Sequence, residues 1–395
     1  MRVLLGLLPL AGLAATPALA DDHSVWRLFV ADHAAPLVTA IDLDSGSPLA
    51  SFPLEGPAAL HTTASGAAVY AVEGSANRVS AIASGITVED HGDHGDLHVA
   101  PPQAVDAAIA GDRPVHFVAH DGRIALFFDG EGVARLVDET AWLDGAPDPL
   151  TVASPAPHHG VAASWGDAVL ISEPHPDDAA ALPVGIRIVD SAGVAGALHA
   201  CPDLHGEASS GNMLAIACAT GLLTVTGAGT PEITLLPYDA ALPEGKVTTL
   251  IGGVGMQYFL GNFGADRVVV IDPSAAPAFR PVELPTRRVH FAVDPQRVRF
   301  AYVFTEDGRL HELDVFAAAI TRSVQLTEPY SMDGEWSLPR PRIAVAGGDI
   351  AVTDPLQGEV LIVDAESFEV ERVLEVAGVP FDIVAIGGSG DDHAH

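Results

Sequence analysis

Val289-His290-Phe291-Ala292-Val293, a turn at Asp294-Pro295, Arg299 to Phe304, a second turn at Glu306-Asp307-Gly308, and a third run from Arg309 to Val315: this stretch decides the fold. Each run is short and rich in Val, Phe and alternating apolar positions, and each is bounded by Gly, Pro or Asp. That is the signature of antiparallel strands joined by tight turns. The same unit recurs at Val115 to Ala119, turn His120-Asp121-Gly122, Arg123 to Phe128, and Val133 to Val137. Helical periodicity is scarce. The first strand of successive units falls near His61, His116, His159, His205, Thr249, His290, Arg342 and Phe381, at spacings of 55, 43, 46, 44, 41, 52 and 39 residues. A period of 40–50 residues with three or four strands predicts an all-β β-propeller.

The two ends of the chain fit that scheme. Phe381 to Ile386 reads as a first strand with nothing after it to pair with. Val25 to Val30, Leu37 to Ile41 and Leu49 to Phe52 are three strands with no first strand before them. Pairing the ends completes one blade and closes the ring, giving eight blades, with seven the alternative count and a pair of β-sandwiches the remaining architecture.

Composition sets the class of partner. The 395-residue chain carries a formal charge of −33, which excludes a nucleic-acid binder built on a basic surface. Residues 1–20 read as a secretory signal peptide. A basic start is followed by an apolar run from Val3 to Leu13 and a small-x-small ending at Ala18-Leu19-Ala20, so cleavage is expected after Ala20. No later stretch is apolar enough to span a bilayer. The reading is a soluble monomer exported to a bacterial periplasm, with residues 21–387 as one propeller domain and 388–395 as an acidic, His-bearing tail. In such an oxidising space Cys201 and Cys218 are expected to form a structural disulfide, with a thiolate metal site as the alternative.

Histidine is the unusual residue, at 17 copies. Five of the eight units place one at nearly the same position: His61, His116, His159, His205 and His290. First strands line a propeller's channel, so equivalent positions form a ring at one channel end. Neutral imidazole is a common zinc ligand, and zinc takes four N or O donors where cysteine is lacking. The alternative is that each imidazole only packs and hydrogen-bonds within its strand. A second concentration, Asp90-His91-Gly92-Asp93-His94-Gly95-Asp96-Leu97-His98, is a loop dense enough in Asp and His to chelate a borderline divalent ion, with a solvated acidic loop as the alternative. Glu207 stands beside His205 as a candidate supporting carboxylate. Asp21-Asp22-His23 and the terminal Asp391-Asp392-His393-Ala394-His395 are weaker chelating candidates. No nucleophile elbow, H-E-x-x-H, Walker loop or dinucleotide fingerprint is present, so no enzyme is expected.

The Asp90–Asp96 stretch, Pro114-Val115-His116-Phe117-Val118, Ala156-Pro157-His158-His159-Gly160-Val161-Ala162, Cys201-Pro202-Asp203-Leu204-His205-Gly206-Glu207-Ala208 and Thr286-Arg287-Arg288-Val289-His290-Phe291 resemble the periplasmic zinc metallochaperones of the AztD type over essentially the whole mature chain. The resemblance implies a propeller that holds Zn2+ and hands it to the solute-binding protein of a zinc ABC transporter. It implies a ligand set drawn from His91, Asp93, His94, His116, His159 and His205, leaving His61 and His290 open. The competing classes are a metal-dependent propeller hydrolase or lactonase and a metal-free interaction scaffold.

Overall fold

Each repeat read from the sequence folds into one antiparallel sheet, four-stranded in seven blades and five-stranded in one, where two short strands, Gln103–Ala104 and Ile109–Ala110, share the outer position, and the eight sheets succeed one another around a central channel. The computed structural model describes residues 24–90, 95–335 and 337–389. Numbered from the closing sheet, blade one takes its inner strand from the C-terminal end (Pro380–Ser389) and its other three from the N-terminal end (Ser24–Asp32, Leu37–Asp42 and Pro48–Pro53). Leu28 pairs with Ala385 and Ser24 with Ser389, so the closing strand runs two residues beyond the boundary expected at 387. Blades two to eight begin at Ala59, Pro114, Ala162, Glu207, Leu250, Arg288 and Ile343. His61, His116 and His290 lie in their inner strands. His159, His205, Thr249 and Arg342 instead stand one to three residues ahead of theirs.

Burial explains why the strands read as they do. A second strand is enclosed by its own sheet on both edges and by neighbouring blades on both faces. Ala68–Glu73 is accordingly buried throughout, and Arg123–Phe128 is buried except at Arg123. An outer strand has one wet edge, and Ala319–Gln325 alternates between exposed and half-buried. The core lies in seams between blades rather than in one centre. Phe29, Val38 and Ile386 of blade one pack on Leu60, Val69 and Ile82 of blade two. On the other flank, Leu28, Val30 and Ile383 pack on Ala344, Ala351 and Ile362 of blade eight. Closure therefore buries apolar surface on both sides of the joint, the dominant favourable contribution to folding.

One departure matters for function. The Asp90–His98 stretch is not an open loop. Ile86–Asp90 and Gly95–Val99 pair as the arms of a hairpin inserted before the outer strand of blade two, with Thr87 opposite His98. His91, Asp93 and His94 lie outside the described residues. The arms spring from the end of the third strand of blade two, where Ser84 N–H bonds the Ala67 carbonyl beside the turn that ends the inner strand. That is the opposite end of the channel from the one where inner strands begin. Cys201 and Cys218 are bridged, with Cα atoms 5.0 Å apart, as the sequence suggests.

Candidate metal centre

His116, His159 and His205 come from three consecutive blades, three to five, and meet at the channel end where inner strands start. Their ring centroids lie 4.8 Å apart for His116–His159, 5.3 Å for His159–His205 and 6.3 Å for His116–His205. Local sequence sets each one. Gly160 follows His159, and a side chain there would collide with His158, Ser172 and Phe127, so only glycine lets the chain turn this close to blade three. Gly206 follows His205 with φ +94°, and a Cβ would lie 2.6 Å from the Thr248 carbonyl oxygen. His205 N–H bonds Ala217 O and Ala217 N–H bonds Gly206 O, one residue from the Cys201–Cys218 bridge. The disulfide thus clamps the segment carrying His205.

Each imidazole is oriented from behind. His116 Nδ1 donates to Glu207 Oε1 at 2.8 Å, His159 Nδ1 to Asp129 Oδ2 at 2.8 Å, and His205 Nδ1 to the Thr248 carbonyl at 2.8 Å. All three acceptors are oxygens with no proton to offer, so each Nδ1 carries the hydrogen and each neutral Nε2 keeps its lone pair. Outer oxygens that fix the tautomer in this way are the usual support of metal-binding histidines. The supports are themselves held. Asn262 Oδ1 accepts from the N–H groups of both Thr248 and Thr249, and Asp129 also receives a long bond from Gly160 N–H at 3.4 Å.

Two of the free nitrogens face each other. His116 Nε2 and His159 Nε2 stand 3.3 Å apart. Two ligands on tetrahedral zinc, each at 2.0–2.1 Å, are separated by about 3.3–3.4 Å, so the pair is already spaced for one ion. Among the described residues no three His, Cys, Asp or Glu side chains stand together closely enough to hold one ion, the His205 ring lying farther from its two neighbours than they lie from each other. Two lone pairs at that distance repel unless a proton or cation lies between them. The electrostatics favour a positive occupant. Burial pulls the His116 pKa down, but the charge and hydrogen bond of Glu207, with Asp129 behind, outweigh it and leave His116 raised. Burial pushes Glu207 up, yet His116, His205 and His159 bring its carboxyl below the usual range. His205 is lowered, chiefly by burial and further by its two imidazole neighbours.

The other ring members do different work. His290 Nδ1 accepts from Ile343 N–H at 3.1 Å, which forces the proton onto Nε2. Burial, then Arg342 and Arg288, push its pKa well down. An imidazole with one nitrogen occupied and the other protonated, among guanidinium groups, is not a ligand. His61 stands opposite Tyr70, three residues short of the end of its partner strand at Glu73. His116 stands opposite Phe127, one short of Phe128, so His61 lies two residues deeper in the channel. His158 is a buried core group bonded to Ser172 Oγ at 2.7 Å. Glu207 supports His116 of a blade two away, not its neighbour His205. Asp129 and the Thr248 carbonyl escape a reading of the sequence, because an Asp-Gly after a strand reads only as a turn and a carbonyl leaves no trace there.

No protein-family model matches the chain. The zinc chaperone AztD of Citrobacter koseri is 49% identical over 403 aligned residues, covering 98% of this chain and 96% of the relative. The chain belongs to the AztD family of zinc chaperones. The crystal structure of Citrobacter koseri AztD superposes with a TM-score of 0.92 at 50% identity, covering 94% of this chain and all of that one. The structure of apo AztD from the same organism gives 0.90 at 49%, with the same coverage. Dihydro-heme d1 dehydrogenase NirN, at 14% identity and a TM-score of 0.59, shares the fold alone. Among the described residues no helix is long and apolar enough to cross a membrane.

Proposed function

We propose that this chain is a periplasmic zinc chaperone that holds Zn2+ on the Nε2 atoms of His116, His159 and His205 and delivers it to the solute-binding protein of a zinc ABC transporter. The observation that carries the reading is the set of three imidazoles whose Nδ1–H groups are all turned outward onto fixed oxygens. Such a set is organised to donate three nitrogen lone pairs to one cation. Membership of the AztD family supports zinc as that cation, and the signal-peptide pattern of residues 1–20 supports export. As a carrier rather than a hydrolase, the chain is expected to close the fourth zinc position with a protein group instead of an activated water.

His159 keeps 34% of its side chain exposed while His116 keeps 15%, so the ion enters and leaves past His159. Release follows from the chemistry of the pair, since a proton arriving at His116 takes the place of the metal. His91, Asp93 and His94 are proposed as a second zinc-binding element; that the described strands on either side of them, Ile86–Asp90 and Gly95–Val99, rise from the other channel end supports a site separate from the triad. The test is a zinc titration of full-length apo-protein against a competing chelator, followed by mixing with the solute-binding protein. Tight binding lost in His159→Ala, and zinc appearing on the acceptor faster than it dissociates into chelator, is expected. Full retention in His116→Ala, His159→Ala and His205→Ala would remove the triad from the function.

A further inference from the structure

Two polar atoms below the triad lack partners. His61 Nε2 and Glu207 Oε2 are both fully buried and make no hydrogen bond. A buried polar group left unsatisfied is costly, and native proteins rarely leave one without a use. The two are neighbours electrostatically: His61 feels the charges of Asp382, Glu207 and His116. Glu207 stands opposite Ile216, two residues short of the end of its partner strand at Cys218. That places it between the level of His116 and that of His61. The His61 ring is held by stacking on Phe117, with centroids 4.8 Å apart and planes 13° from parallel. Phe117 is the residue after His116, so the upper ligand and the lower imidazole are mechanically joined.

An imidazole nitrogen and a carboxylate oxygen, both stripped of water, are the donor types a borderline divalent cation accepts. We propose a second cation position in the channel, below the triad, formed by His61 Nε2 and Glu207 Oε2 and completed by water. The inference rests on the triad reading and deepens it. With two protein donors instead of three it binds Zn2+ more weakly than the triad. Glu207 belongs to both positions, one oxygen on His116 and the other on the lower ion. The channel then has a holding position and a passing one that share a carboxylate, and loading the lower position draws on the charge that supports the upper.

The test is zinc-edge anomalous diffraction from crystals of the full chain saturated with zinc, for wild type and His61→Leu. Two channel peaks are expected in wild type, one among His116, His159 and His205 and one between His61 and Glu207. In His61→Leu only the lower peak disappears. In solution the variant is expected to bind one zinc fewer per chain, with the tightest step unchanged, and a thermal melt checks that it folds. A triad peak with nothing between His61 and Glu207 at saturating zinc overturns the inference and leaves the triad reading standing, a bridging water then being the partner of both atoms. Absence of the triad peak overturns both.

Discussion

Replacing Glu207 by Gln removes one negative charge from behind His116 and leaves the shape of the site almost unchanged. The carboxylate accepts from His116 Nδ1 at 2.8 Å, and its side chain is only 9% exposed, so solvent and salt screen it little. Loss of such an outer partner typically weakens metal binding 10–100-fold, about 1.4–2.7 kcal/mol. A second effect runs the other way. Glu207 also raises the pKa of His116, and zinc must displace whatever proton His116 holds. In wild type that competition starts above the ordinary imidazole value of ~6.5 and grows as pH falls. In Glu207→Gln it starts lower. The variant is therefore expected to bind zinc about 10–100-fold more weakly at pH 8, with the gap narrowing toward pH 6. Chelator-competition titrations at pH 6, 7 and 8 measure both curves. Equal affinity at pH 8 would refute the role of Glu207. A gap of constant size at all three pH values would refute the link between this carboxylate and the proton on His116.

Further outcomes are expected. Alanine at His116, His159 or His205 should each weaken zinc strongly in the same titration, whereas His290→Ala should leave affinity intact and cost about 1 kcal/mol of stability in denaturant unfolding, through the bond lost from Ile343 N–H. Opening the Cys201–Cys218 bridge with a Ser pair should cost about 2–4 kcal/mol and also loosen zinc, because the bridge clamps the segment bearing His205. Gly206→Ala, with φ +94° and a Cβ 2.6 Å from Thr248 O, should reduce zinc affinity more than it lowers the melting temperature. Deleting residues 380–395 should abolish cooperative unfolding, whereas ending the chain after Ser389 should not alter the melt.

The architecture is legible in the sequence because its signal repeats. Eight copies of a short alternating pattern place the strands, and the unpaired strands at the two ends, Val25 to Val30 and Phe381 to Ile386, announce their own partnership. The histidines at equivalent positions are legible for the same reason. Register alone carries no further than that. His290 shares the position of His116, yet Ile343 N–H occupies its Nδ1 where Glu207 accepts from that of His116, and only the packing of one blade on the next decides between them. Glu207 draws attention by its nearness to His205 in sequence and serves His116 instead, because the chain turns at Gly206. Asp129 and Thr248 act through contacts between blades 30 and 43 residues apart, which no local pattern encodes. The hairpin at 86–99 reads as a loop because glycines and charges mask the pairing of Thr87 with His98.

The pairing of Ser24 with Ser389 brings the first and last described residues together at the channel end remote from the triad. That geometry dictates how the molecule can be handled. A fluorophore, an affinity handle or a covalent linkage to a sensor surface, attached at Ser389, leaves from the side away from His159. The channel mouth proposed as the ion's route then stays open to whatever approaches it. An immobilised layer would present the channel end bearing His116, His159 and His205 outward, all copies facing the same way.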